Sequence, residues 1–329
     1  MKNFVNHVDN ILSESLDGFA AAHADILVLG EEREFVRRKQ VKPGKVALIS
    51  GGGTGHEPLH AGFVGYGMLD AACPGQIFTS PTPNQMLSAA QAVDGGAGVL
   101  FIVKNYSGDM MNFQMAAEML DQDNETIIVN DDVAVENSTY TTGRRGVAGT
   151  LIVEKILGAA AERGDDLRQL KALGDAVNKA TASMGVALTS CTVPAAGKPT
   201  FQIGADEMEV GVGIHGEPGR RRVPLASADA IAAELTGAVI KDLSLRNGQE
   251  VILLVNGFGG TPLLELYLMV NAVHKVLAAA GVVAVRHLTG SYVTSLEMAG
   301  CSVTVTVANA ALLALWDAPV HTPALRWGM

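Results

Sequence analysis

The sequence predicts an α/β protein of two domains, each a mainly parallel or mixed β-sheet covered by helices. Three observations lead there. Short β-branched runs alternate with longer stretches of helical periodicity, the pattern of helices layered on sheets. The helical stretches carry physical start and stop signals. The length of 329 residues, with 48% hydrophobic and 18% charged residues, is enough to bury two cores and excludes a disordered chain.

Taken in order, Ile11, Leu12, Leu16, Phe19 and His23 share one face of an N-terminal helix. Buried strands are expected over 46–50, 99–104 and 126–130. Thr82 is expected to cap a helix with Pro83 in its first turn, because proline needs no hydrogen-bonded N–H there. The second half carries strands over 185–189, 208–212, 251–256, 282–285 and 302–307. Thr261 reads as the cap of a helix that begins at Pro262, runs to Ala280 and is closed by Gly281. A boundary falls in 183–200, where the loop from Thr192 to Pro199 carries two prolines and a glycine. The first domain is therefore placed at 1–185 and the second at 186–311, with the tail 312–329 packing back on the first. The tail has Trp316 and Trp327 at its two ends, and leaving both in water is unfavourable.

Composition restricts the function. A formal charge of −10 with no basic block disfavours nucleic acid and anionic membrane surfaces. Cys73, Cys191 and Cys301 are odd in number and widely spaced, which suggests free thiols rather than a disulfide or zinc framework. Asn6, His7, Asp9 and Asn10 interrupt any apolar leader. The most apolar stretch, 298–316, changes from alternating to helical pattern, as a strand followed by a helix does. A cytoplasmic protein is the expectation.

Three glycine-framed segments carry candidate chemistry. The first, Ser-Gly-Gly-Gly-Thr-Gly-His-Glu-Pro over 50–58, follows a strand, and bare glycine backbone lets N–H groups approach a polar ligand. It contains no lysine for a phosphate-binding P-loop. Its spacing puts His56 where a dinucleotide fingerprint needs glycine. A plain strand-to-helix turn remains an alternative. His56 and His60 are four apart, but Pro58 intervenes and no zinc motif surrounds them, so a metal is not expected and proton transfer suits His56 better. In the second segment, over 103–109, a strand delivers Lys104 to the carboxyl edge of the sheet, and Asp109 follows on the next loop. A strand-end ion pair or a helix cap by Asp109 would also explain it. The third, over 210–219, places His215 between glycines, exposed enough for its imidazole to attack a carbonyl carbon, though a lone histidine is often structural. Asp131, Asp132, Arg144 and Arg145 form a further polar cluster suited to loop stabilisation or partner docking.

Together GGGTGHEP, CPGQIFTSPTP, FIVKNYSGDMMNF, SCTVPAAGKP, EVGVGIHGEPG and LWDAPVHTPALRW resemble the dihydroxyacetone-binding (K) subunit of bacterial dihydroxyacetone kinases, over nearly the whole chain. The resemblance implies a homodimer of two-domain subunits. It implies a covalent hemiaminal of dihydroxyacetone on His215, and substrate contacts from Gly53, Thr54, Gly55, His56, Lys104 and Asp109, with His56 and Asp109 in acid–base roles. No cofactor is implied in this chain. ADP or ATP with magnesium is expected on a separate helical L subunit, recharged in one branch by a phosphotransferase-system M subunit. The length of 329 residues suits the unfused form of this subunit. A second branch of the family senses ketose as co-activator of a transcriptional regulator, and retained catalytic-type residues favour the kinase subunit.

Overall fold

The computed structural model describes residues 3–329. Helix α1 (Ile11–Ala22) precedes β1 (Leu27–Leu29), β2 (Val36–Arg38), β3 (Ala47–Thr54) and β4 (Ala71–Ile77). There follow α2 (Pro83–Val93), β5 (Val99–Lys104), α3 (Ser107–Met119) and β6 (Asn124–Val129). These six strands form one sheet in the order β1-β2-β4-β3-β5-β6. Its β4-β3-β5-β6 part is parallel, and β1 and β2 are antiparallel additions. The chain leaves β3 for β4 on one side and later enters β5 on the other. The carboxyl ends of β3 and β5 therefore flank a topological switch point, where open α/β sheets bind ligands.

Two long helices, α4 (Gly149–Arg163) and α5 (Leu167–Lys179), lead to the second sheet. Its elements are β7 (Thr181–Ala187), β8 (Glu207–Val210), β9 (Arg221–Pro224), α6 (Ala228–Asp242), β10 (Glu250–Gly257), α7 (Leu263–Ala279), β11 (Val283–Gly290) and β12 (Gly300–Val307). The order is β11-β10-β12-β7-β8-β9, and only β10 and β11 run parallel. The expected α/β class holds, with one sheet parallel at its centre and the other mostly antiparallel.

Strand alternation explains the layers. Ala47, Ile49, Val99, Phe101 and Val103 face a cluster with Met86 and Ala90 of α2 and Phe113 of α3. Leu48, Leu100 and Ile102 face the other way, into a cluster with Leu151, Ile152 and Ile156 of α4. Ile252 and Leu254 of the second sheet enter that same cluster, while Val251, Leu253 and Val255 pack with α6 and α7. Helix α4 is accordingly buried all round from Gly149 to Ala161, as a helix without a polar face must be.

The tail forms α8 (Ala310–Asp317) and a small hairpin of β13 (Val320–His321) and β14 (Arg326–Trp327). The backbones of His321 and Tyr66 exchange hydrogen bonds of 2.9 and 3.1 Å, and Trp316 packs on Trp327 with ring centres 5.6 Å apart. Cys73, Cys191 and Cys301 are free and buried. No helix among the described residues is long and apolar enough to cross a membrane.

Two capping expectations divide. Thr82 caps α2 in a full capping box with Gln85. Thr261 does not cap α7: its hydroxyl donates to the Gly300 carbonyl at 2.6 Å, and the helix starts after Pro262 with no side-chain cap. The bond to the neighbouring strand β12 takes the hydroxyl away from the helix.

Candidate active site

The glycine run is not a loop. β3 continues through Gly51, Gly52 and Gly53 to Thr54, paired in parallel with β4. The physical need for glycine is close approach. A Cβ on Gly53 would lie 2.6 Å from the Thr79 nitrogen and 2.7 Å from the Phe78 Cα, so the segment after β4 can cross the strand end only over a bare backbone. That segment brings Phe78, Thr79 and Ser80 to an open cavity of about 660 Å³. Gly53, Tyr106, Asp109, Tyr140, His215 and Glu217 also line it.

His56 and His215, 159 residues apart, meet with their Nε2 atoms at 3.0 Å. The partners settle the proton positions. The Thr294 carbonyl, 2.7 Å from His56 Nδ1, can only accept, so His56 donates there. Burial, then the charges of His215 and Lys104, push the His56 pKa well below its ordinary value, so this ring is neutral and its Nε2 accepts. The proton shared between the rings therefore sits on His215 Nε2. The loop holding Thr294 comes from the second sheet, fixed by Asn256, whose amide donates to the Val293 carbonyl at 2.8 Å. Its Leu296 N–H donates to the Gly55 carbonyl at 2.8 Å.

On its other side His215 has Glu217. The Glu217 carboxylate accepts from the His215 backbone N–H at 2.8 Å, and its second oxygen lies 3.6 Å from Nδ1. Arg145 is 4.0 Å from that oxygen and is anchored by Asp132. Burial alone would raise the Glu217 pKa, but His215 and then Arg145 outweigh it and hold the group down to about 2. Tyr106 packs edge-on to the His215 ring at 4.6 Å, and Phe78 at 5.2 Å. Phe78 also stacks on His56 at 5.1 Å, closing it from water.

Lys104 ends β5 and is 1% exposed. Its ammonium donates to the Gly51 carbonyl at 3.3 Å and to His60 Nε2 at 2.8 Å, and sits 3.5 Å from Asp109. Asp109 is in the first turn of α3 and does not cap it; the N-cap residue is Tyr106. One Asp109 carboxylate oxygen is buried without a partner, which leaves it free for a hydroxyl ligand.

Gly53, Asp109 and His215 thus line one cavity, with the buried His56 against His215 and the buried Lys104 3.5 Å from Asp109, while Thr54 and Gly55 lie outside that lining. The Thr54 hydroxyl donates to the Gly75 carbonyl at 2.7 Å. His60 turns away from His56 to hydrogen-bond Glu154 at 2.6 Å, and no group of three or more metal-ligating side chains exists among the described residues. The polar cluster after β6 stabilises its loop rather than docking a partner: the buried Asp131 accepts from the Val147 and Gly149 N–H groups, the buried Asp132 pairs with the buried Arg145, and Arg144 forms a surface pair with Asp242 at 2.5 Å. Sequence reasoning assigned no role to Glu217, Tyr106, Ser80 or Phe78. The Gly-Glu-Pro-Gly run beside His215 was the only signal for Glu217; the other three depend on chain crossings.

Fold and site define an α/β protein with a polar cavity at a sheet switch point, beside two facing imidazoles and a carboxylate. The Dak1 domain model matches residues 17–324. The chain belongs to this family, and within it to the dihydroxyacetone-binding (K) subunits of dihydroxyacetone kinases. It is 51% identical over 308 residues to the dihydroxyacetone-binding subunit of the PTS-dependent dihydroxyacetone kinase 1 of Listeria innocua, covering 93% of this chain and 94% of that one. It is 48% identical over 356 aligned positions to the corresponding subunit of the PEP-dependent kinase of Escherichia coli K12, covering all of both chains. Among solved structures, a dihydroxyacetone kinase operon co-activator superposes with a TM-score of 0.89 at 33% identity, covering 94% of this chain and 97% of that one. The dihydroxyacetone kinase of C. freundii, solved with AMP-PNP and Mg²⁺, gives 0.87 at 33% identity over 98% of this chain and 60% of its own.

Proposed function

We propose that this chain is the substrate-binding subunit of a dihydroxyacetone kinase, holding the ketose as a hemiaminal on His215 while a nucleotide on a separate L subunit donates the phosphoryl group. The observation that carries the reading is the pairing of His215 and His56 at 3.0 Å in the cavity that Asp109 also lines. As His56 Nε2 takes the Nε2 proton of His215, the electron pair this frees on His215 Nε2 forms the bond to C2 of the ketone. His56 then passes that proton to the former carbonyl oxygen, giving N–C–OH with no net change in protons. Glu217 steadies the positive charge that builds on the His215 ring, in the way a carboxylate orients a catalytic histidine.

A covalent link suits so small a ligand. Dihydroxyacetone offers few atoms for contact, which limits its non-covalent affinity. Glycerol has no carbonyl to react and is rejected by chemistry rather than by shape. Asp109 accepts the proton of the terminal hydroxyl as phosphorus approaches. The Lys104 ammonium, 3.5 Å from Asp109, offsets charge on the transferring group; the Gly55 N–H is already given to the Glu57 carboxylate at 2.9 Å. ADP or ATP with magnesium belongs to the L subunit in this scheme, with an M subunit of the phosphotransferase system as its phosphoryl source, and the chain acts as a homodimer in the cytoplasm.

The similarity to a co-activator, at a TM-score of 0.89, supports a second reading: a ketose sensor that contacts a transcriptional regulator. Both readings share the adduct. Native mass spectrometry should show a ketose adduct on the wild-type chain and none on His215→Ala; an adduct surviving in the variant defeats both. Formation of dihydroxyacetone phosphate with added L subunit and phosphoryl donor separates kinase from sensor.

A further inference from the structure

Behind the cavity lies a second row of titratable groups, of which the chemistry above uses neither His60 nor Glu154. Lys104 has only protons to give, so His60 Nε2, 2.8 Å from its ammonium, accepts. His60 must then carry its proton on Nδ1 and donate it to Glu154 at 2.6 Å. Ser50, 2.9 Å from the same nitrogen, donates its own proton to the Ile102 carbonyl at 2.6 Å and fixes the ring from the other side. Glu154 is on the wholly buried α4, is itself fully buried, and keeps one carboxylate oxygen without any partner. A row thus runs from Asp109 through Lys104, 3.5 Å from its carboxylate, and His60 to Glu154, and the carboxylate at each end keeps one further oxygen without a partner.

We propose that Lys104, His60 and Glu154 form a proton relay that takes the substrate hydroxyl proton from Asp109 into the core, with Glu154 as its terminus; this rests on the kinase reading above. The proton balance is simple. The hydroxyl gives its proton to the Asp109 carboxylate as the O–P bond forms. Lys104 passes a proton to His60 Nε2, His60 passes its Nδ1 proton to Glu154, and protonated Asp109 refills Lys104. Asp109 ends ionised, Lys104 charged, His60 with its proton moved from Nδ1 to Nε2, and Glu154 neutral. When product leaves and Asp109 meets water, the proton returns by the same path. Such a store has a use only while a docked donor subunit keeps water from the cavity, when Asp109 has no other outlet.

The electrostatics agree with the direction of transfer. Burial lifts the Glu154 pKa well above the carboxylate range, with Lys104 and Ser50 only partly opposing it, so the group readily takes a proton. Burial, then Lys104 and His56, push His60 well down, which makes it a conduit rather than a resting place. Lys155, next to Glu154 on α4, points away from this row to the Leu315 carbonyl at 2.9 Å.

Glu154→Gln is the decisive variant, because glutamine keeps the oxygen that accepts from His60 but cannot take a proton. With the full chain, its L subunit, magnesium nucleotide and dihydroxyacetone, the His215 adduct should form as in wild type. The single-turnover phosphorylation rate should fall at least about tenfold, and its dependence on deuterium content should change from curved, several protons moving, to linear. An unchanged rate and unchanged curvature overturn the relay while leaving the kinase reading intact. Absence of adduct or of phosphorylation in wild type strikes that reading instead. Should the variant fail to fold, infrared difference spectra of wild-type chain labelled with ¹³C-glutamate decide: a protonated, label-shifted carboxyl band growing with product supports the relay, and product formed without it overturns the relay.

Discussion

A neutral imidazole offers one lone pair, and its neighbours decide which nitrogen carries it. Around His215 the decision falls to His56, which accepts on the Nε2 side and leaves the lone pair on Nδ1, without a partner and 3.6 Å from the Glu217 carboxylate. The same carboxylate contributes to stability. Its pKa falls from an ordinary 4.5 to about 2 in the fold, so the contribution is fully present above about pH 4.5 and is lost as the pH drops toward 2. The size is on the order of 3 kcal/mol, at about 1.4 kcal/mol per pH unit. Urea unfolding of wild type and Glu217→Gln should therefore differ most above pH 4.5, and the gap should close toward pH 2. A gap that stays constant across that window would mean that Glu217 is not an ionised partner of His215. Asp109 makes a different prediction. The residue lines the cavity, one of its oxygens has no partner, and it takes no part in the attack on C2, so Asp109→Asn should keep the ketose adduct and lose turnover by roughly 10²-fold or more. Equal loss of adduct and turnover would reduce Asp109 to a binding group.

Elements were legible in the sequence where one local signal governed them. β5 runs from Val99 to Lys104 as its apolar run indicates, and the Thr82–Pro83 pair marks the start of α2. The glycine stretch read as a loop because glycine usually interrupts strands. What keeps it a strand is the parallel pairing with β4, a contact between segments more than twenty residues apart that no local pattern encodes. Thr261 lost its capping role to a strand distant in sequence for the same reason. Most of the candidate site was legible too, since His56, Lys104, Asp109 and His215 sit at strand ends or in glycine frames. Glu154 was not, because an acidic residue in a helical run looks like a solvated face until the second sheet covers it. That burial of α4 is testable. A Cβ on Gly158 would strike the Gly67 carbonyl and the Met68 backbone, so Gly158→Ala should lower stability by about 1–3 kcal/mol through overpacking. Gly18, on the exposed side of α1 with nothing within 4 Å of its Cβ position, is the control: Gly18→Ala should raise stability by up to about 1 kcal/mol. Thermal unfolding of both variants gives the comparison, and equal shifts would contradict a helix packed on every side.

At the scale of the molecule, the proposed function places the nucleotide on a separate subunit, and the charge distribution of this chain supports that division. Triphosphates need clustered positive charge or a nest of free backbone N–H groups, together with ligands for magnesium. The formal charge is −10. The glycines that might have formed a nest are aligned in the β3 ladder. The cations nearest the cavity are already engaged, Lys104 with Asp109 and His60, and Arg145 with Asp132. No group of three or more metal-ligating side chains stands among the described residues. The C. freundii kinase, solved with AMP-PNP and Mg²⁺, has a chain of which this one matches 60%. Calorimetric titration of this chain alone with magnesium-ATP and magnesium-ADP should therefore give no binding heat, with or without dihydroxyacetone, and a signal should appear only when a separate L subunit is added. A magnesium-dependent isotherm from the chain alone, saturating at one nucleotide per subunit, would place the phosphoryl donor on this chain and end the division of labour proposed for it.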